Sequence, residues 1–102
     1  MSMLLINMSI PQQLVYSIHD YSTDVSQQTW FSDPKFPANL PGIWDSYWGY
    51  LLKQANPVPI WVGEFGTTLA VASDGQWLST LVSYMNTNGV HWAFWCWNRK
   101  YF

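Results

Sequence analysis

Charge is scarce in this chain. Of its 102 residues four are Lys or Arg and six are Asp or Glu, 10% in all, against ~25% in an average soluble domain. The net charge is −2 and no basic stripe is present, which leaves no electrostatic footprint for a nucleic acid. Cysteine is limited to Cys96, so an internal disulfide is excluded, and the residue says nothing of redox compartment. It sits in an aromatic run that reads as buried. Apolar runs are short: nothing approaches the roughly 20 residues that span a bilayer. Met1 to Ile10 is apolar but has neither the basic opening nor the small-residue cleavage site of a secretory leader. Asn7-Met8-Ser9 fits a glycosylation triplet, a pattern that arises often by chance. Glutamate is the rarest acid, with Glu64 its only instance.

What the chain has in excess is tryptophan, eight residues in 102. A small monomer cannot bury eight indoles easily. They line a groove, or the chain is cut from a larger body. Half the residues are apolar, enough for a core and too many for disorder, and the length fits one small domain.

The stretch Ile60 to Phe65 has strand length, a carboxylate near its end and Gly66 just past it. A rigid strand ending in one acid is a common mount for a reactive carboxylate, although a solvated strand-end Glu would look the same. Strict alternation puts Ile60, Val62 and Glu64 on one face and Trp61, Gly63 and Phe65 on the other. Upstream, Leu14 to Tyr21 reads as a strand after the turn-forming Pro11. His19 and Tyr21 share a face at its C-terminal end and Asp20 points the other way. Ser22 to Ile43 shows no periodicity and carries Pro34, Pro37 and Pro41, with Trp30 and Phe31 mid-loop. A loop this long is usually functional or disordered.

From Trp44 the period becomes helical. Trp44, Tyr47, Trp48, Leu51, Leu52 and Ala55 make one apolar face, Lys53 suits the last turn, and Pro57 and Pro59 close the segment. After the Glu64 strand, Ser73 or Asp74 can cap a second helix, whose buried stripe is Trp77, Leu78, Leu81, Val82 and Met85. Val90 to Asn98 is a third strand with aromatics on both faces, as in a strand covered on both sides. Arg99 to Phe102 reads as a stump. Strands that alternate with helices imply a parallel sheet of right-handed βαβ units. Three parallel strands cannot bury both faces alone, so the chain is expected to be part of an α/β sheet or barrel.

His19-Asp20-Tyr21, Trp61-Val62-Gly63-Glu64-Phe65-Gly66 and Trp92-Ala93-Phe94-Trp95-Cys96-Trp97-Asn98 resemble the last three strands of a glycoside hydrolase family 5 cellulase. Gln28 to Pro34 and Pro41 to Trp44 are similar to loops of its endo-β-1,4-glucanases. The resemblance implies an incomplete (β/α)8 TIM barrel, strands six to eight with two intervening helices, forming one partial domain over residues 1–102. It further implies a retaining mechanism. Glu64 matches the nucleophile, Tyr21 the phenol that positions it, and His19 a sugar-binding imidazole. Trp95 matches the indole under the sugar before the scissile bond, and Trp30 a cleft-lining aromatic. The partner would be a β-glucan, with no cofactor, metal, nucleic acid or membrane, and the family works outside the cell.

The family's acid/base glutamate, in an Asn-Glu-Pro-type motif, has no counterpart here. A full barrel takes about 250 residues, so the expectation is the last two-fifths of a catalytic domain, inactive alone and prone to self-association through open sheet edges. A non-catalytic glucan-binding fragment built on Trp30, Trp95 and Trp97, and a purely structural half-barrel, are the alternatives.

Overall fold

A computed structural model of the chain describes residues 5–96. Three strands, β1 (Tyr16–Tyr21), β2 (Ile60–Gly66) and β3 (His91–Phe94), lie side by side in the order β1-β2-β3, all parallel. Between β1 and β2 the chain forms a 3-10 turn at Thr29–Ser32 and then a composite helix. That helix begins as α1 (Leu40–Trp44), passes through a π turn at Asp45–Gly49 and ends as α2 (Tyr50–Lys53). Between β2 and β3 runs α3 (Ala72–Thr87). Both crossovers are therefore helical, as parallel neighbours require.

One face of the sheet carries the core. Ile60, Val62 and Phe65 of β2 are buried with Leu40, Trp44, Trp48 and Leu51 of the composite helix and Trp77, Leu81 and Met85 of α3. Tyr84 packs its ring between Trp44 and Trp48, at 5.3 Å from each. Its hydroxyl donates to Asp45 at 2.5 Å, and Lys53 reaches the same oxygen at 2.6 Å. Lys53 and then Tyr84 hold the Asp45 carboxyl below the usual range, while burial pushes the Tyr84 phenol up. The other face of the sheet leaves Trp61 41% exposed, next to exposed Ser17 and His19.

Four expectations change. The composite helix starts at Leu40 rather than Trp44, because Pro41 at its first turn presets a helical φ. Tyr47 and Ala55 leave the predicted apolar face. The π turn widens the winding and carries Tyr47 off the stripe, 59% exposed, while Ala55 lies beyond the last helical residue. Ser73 and Asp74 stand inside the first turn of α3. The N-cap is Val71, and the Asp74 carboxylate reaches back to accept its N–H at 3.1 Å. Strand β3 is shorter than Val90 to Asn98 and is not covered on both sides: Trp92 is 42% exposed, and Trp95 and Cys96 form a turn after it. Trp97, Asn98 and the Arg99 to Phe102 stump lie outside the described residues.

Candidate active site

The direction of Glu64 is set by a bulge. Ile18 pairs with Val62, but His19 pairs with Glu64, so Gly63 is an extra residue in β2. On the other side Val62 pairs with Trp92 and Phe65 with Phe94, so two residues of β2 again oppose one. An inserted residue reverses the alternation beyond it. Phe65 thereby joins Ile60 and Val62 in the core. Glu64 turns to the opposite face, with its cross-strand partner His19. The expectation from strict alternation, Glu64 beside Ile60 and Val62, is wrong for that reason. An isolated glycine inside a strand pattern was the available signal.

On the open face, at the C-terminal ends of the strands, two side chains meet the carboxylate. The Tyr21 hydroxyl donates a hydrogen bond to Glu64 Oε1. His19 Nδ1 lies 3.6 Å from Oε2, too long for a hydrogen bond but close enough for attraction when the imidazole is protonated. The Glu64 side chain is 28% exposed. It is anchored at Oε1 by Tyr21, with His19 beside Oε2.

Trp95 is 60% exposed and sits at the same rim, its backbone N–H donating to the Phe65 carbonyl at 2.7 Å. Gly66 permits that approach, because a Cβ there would run into the Trp95 carbonyl oxygen. Trp30 stands at the far side of β1. Its ring packs on Tyr47 at 5.5 Å, and it lines a cavity of about 260 Å³ shared with His19, Tyr21 and Gln28. That cavity is also lined by Asp20, Trp44 and Trp48, and Trp30 packs against the core, so Trp30 belongs to the helical side of β1 while Trp95 approaches from β3. Trp97, the third candidate indole, lies outside the described residues.

Asp20 faces the helices, as its place in β1 predicts. Its carboxylate accepts the Trp77 indole N–H at 3.2 Å, and the indoles of Trp44 and Trp48 on the same side also favour its charged form. Burial pushes it up from 3.8 to about 6, and the three indoles, Trp77 first, only partly offset this. Asp24, which sequence reading placed only in a loop, accepts from Ser22, Thr67 and Thr68 across the ends of β1 and β2. Nothing local marks it, since its threonine partners are 43 and 44 residues away. Among the described residues no group of three or more His, Cys, Asp or Glu is placed to hold a metal ion, and no helix is long and apolar enough to cross a membrane.

This arrangement has known counterparts. The family model described as Cellulase (glycosyl hydrolase family 5) matches residues 2–101. An endoglucanase of Paenibacillus polymyxa is 46% identical over 93 residues, covering 89% of this chain and 23% of that protein. The major extracellular endoglucanase of Xanthomonas campestris pv. campestris is 35% identical over 95 residues, covering 89% and 19%. Among solved structures, the hyperthermophilic endocellulase of the archaeon Pyrococcus horikoshii superposes with a TM-score of 0.78 at 35% identity, over 88% of this chain and 25% of that one. A substituted form of the Pyrococcus enzyme in complex with cellotetraose gives 0.77 at 34%, over the same shares. The chain spans about a quarter of the length of the relatives it matches. Its three parallel strands are an incomplete (β/α)8 barrel, and the chain belongs to glycosyl hydrolase family 5, the cellulase family.

Proposed function

We propose that this chain is the nucleophile-bearing part of a retaining β-1,4-glucanase. The observation that carries the reading is the Tyr21–Glu64 hydrogen bond at the strand ends. A retaining glycosidase attacks the anomeric carbon with one carboxylate and protonates the leaving oxygen with a second carboxyl about 5–5.5 Å away. Glu64 has the placement for the first task. Tyr21 fixes Oε1, which leaves Oε2 to form the bond to the sugar, and His19 beside Oε2 is placed to bond a sugar hydroxyl. The exposed indole of Trp95 offers a flat apolar surface to a pyranose ring, and Trp30 adds an aromatic wall beside His19. Cellotetraose bound to a Pyrococcus relative supports a β-glucan as the ligand, and the extracellular Xanthomonas relative supports action outside the cell.

The test uses a substrate that needs no acid. A dinitrophenyl 2-deoxy-2-fluoro-β-cellobioside carries its own good leaving group. Attack by Glu64 forms the carboxylate–sugar ester and expels dinitrophenolate, and the fluorine slows hydrolysis of the ester. Intact-mass measurement is expected to show one added fluorocellobiosyl group, mapped to the peptide containing Glu64 and absent from Glu64→Gln. A folded chain that takes no label would sink the nucleophile assignment. If the same chain is nevertheless retained on cellulose, the second reading stands instead: a glucan-binding fragment that uses the exposed indoles of Trp95 and Trp61, at 60% and 41% exposure.

A further inference from the structure

Ser22, Thr23 and Asp24 follow Tyr21 directly, and Thr23 and Asp24 reach across to the chain that follows β2. The Ser22 hydroxyl, on a fully buried residue, donates to Asp24 Oδ1. Thr67 Oγ1 lies 3.2 Å from that same oxygen. Asp24 Oδ2 accepts the Thr68 backbone N–H at 2.7 Å and the Thr68 hydroxyl at 2.5 Å. Thr23 Oγ1 donates to Asp74 Oδ1 at 3.0 Å, and Asp74 in turn holds the first turn of α3 through Val71. Four donors therefore converge on one carboxylate. Burial alone would raise its pKa, but the bonds from Ser22, Thr68 and Thr67 outweigh it and hold the group below the usual range. The loop held this way is strained. Leu69 has φ +57°, a left-handed conformation uncommon for leucine, and its N–H is tied to Thr67 Oγ1 at 3.0 Å. Such conformations persist where surrounding contacts over-determine them.

The two segments joined by Asp24 begin next to the two residues that matter. Tyr21 precedes Ser22, and Glu64 lies three residues before Thr67. Tyr21 also pairs with Gly66, the last residue of β2. We propose that Asp24 is a positioning residue: by clamping the loop after β2 to the loop after β1, it sets the geometry at which the Tyr21 hydroxyl meets Glu64. The clamp itself is independent of catalysis. Its consequence for reaction rate rests on reading Glu64 as the nucleophile.

The chain has one glutamate, so selective labelling with 13Cδ-glutamate gives a single carboxyl resonance that reports on Glu64. Asp24→Asn puts an amide N–H₂ where donors already point. Its Glu64 resonance is expected to move in the same direction as in Tyr21→Phe, and to broaden as the bond exchanges. Thr68→Val, which deletes one hydroxyl donor, gives a smaller move, and Thr68→Ser restores the wild-type position. Asp33→Asn, which disturbs a loop bond to the Lys35 N–H elsewhere, leaves it unchanged. With the fluorocellobioside, labelling at saturation is expected to slow on the order of 10-fold in Asp24→Asn with the half-saturating concentration unchanged, as for misplaced reacting groups. A Glu64 resonance that stays at its wild-type position in folded Asp24→Asn or Thr68→Val overturns the proposal, whatever happens to the unfolding midpoint. A resonance that moves in a chain that is never labelled keeps the clamp and removes the nucleophile reading instead.

Discussion

At the scale of single residues, the most informative contrast is between His19, Asp20 and Tyr21. Alternation along β1 sends His19 and Tyr21 to the open face and Asp20 into the helices, where the indoles of Trp77, Trp44 and Trp48 converge on it. The indoles favour a carboxylate, yet desolvation wins and pushes the group up from 3.8 to about 6. A folded-state value above the unfolded one favours folding of the protonated form. That stability is fully present below 3.8 and is lost as the pH rises through about 6. The gap corresponds to about 3 kcal/mol at most. Asp20→Asn removes the charge and keeps one acceptor oxygen. Between pH 4 and pH 7 urea unfolding is expected to show wild type losing about 2–3 kcal/mol relative to Asp20→Asn. A stability difference that does not change with pH would mean that the surrounding indoles fully compensate the buried charge.

At the scale of elements, the sequence showed more of the sheet than of its departures from regularity. The three strands, their parallel order and the buried stripe of α3 follow from periods of 2 and 3.6, and the His19–Tyr21 pairing follows because β1 is regular at its end. Glu64 did not follow, because Gly63 inserts a residue that a strict period of 2 cannot represent. Tyr47 did not follow either, because nothing in a 3.6-residue pattern announces a π turn. Asp24 was out of reach for a third reason: its partners come from the far side of a crossover, and only the folded sheet brings them near. The close contact between β2 and the end of β3 yields its own prediction. Gly66 lies where any Cβ meets the Trp95 carbonyl, a backbone atom that cannot rotate away. Gly66→Ala is expected to cost about 1–3 kcal/mol by chemical denaturation, in the range of overpacking strain. It should also shift the indole environment of Trp95 in near-ultraviolet circular dichroism. Unchanged stability would show that the β3 end yields freely and does not fix the rim.

At the scale of the whole molecule, the proposed glucanase reading turns on how many carboxyl groups stand on the open face of the sheet. The chain has six acids, and all of them lie among the described residues. Asp20 is enclosed by indoles on the helical side, and Asp24 is saturated by hydroxyls and an N–H. Asp33 caps the Lys35 N–H at 2.7 Å, Asp45 is held by Lys53 and Tyr84, and Asp74 is buried between Thr23 and Val71. Glu64 alone stands on the open face with Tyr21. On the proposed reading, these residues supply the attacking group and no acid to protonate the leaving oxygen. A dinitrophenolate departs without help, but a glucose alkoxide does not, and general-acid assistance is typically worth ~10²–10⁴-fold. The purified chain is therefore expected to release no reducing ends from carboxymethyl-cellulose under conditions where the aryl fluorocellobioside labels Glu64. Hydrolysis that Glu64→Gln abolishes would contradict this count. It would require a second carboxyl delivered from another polypeptide.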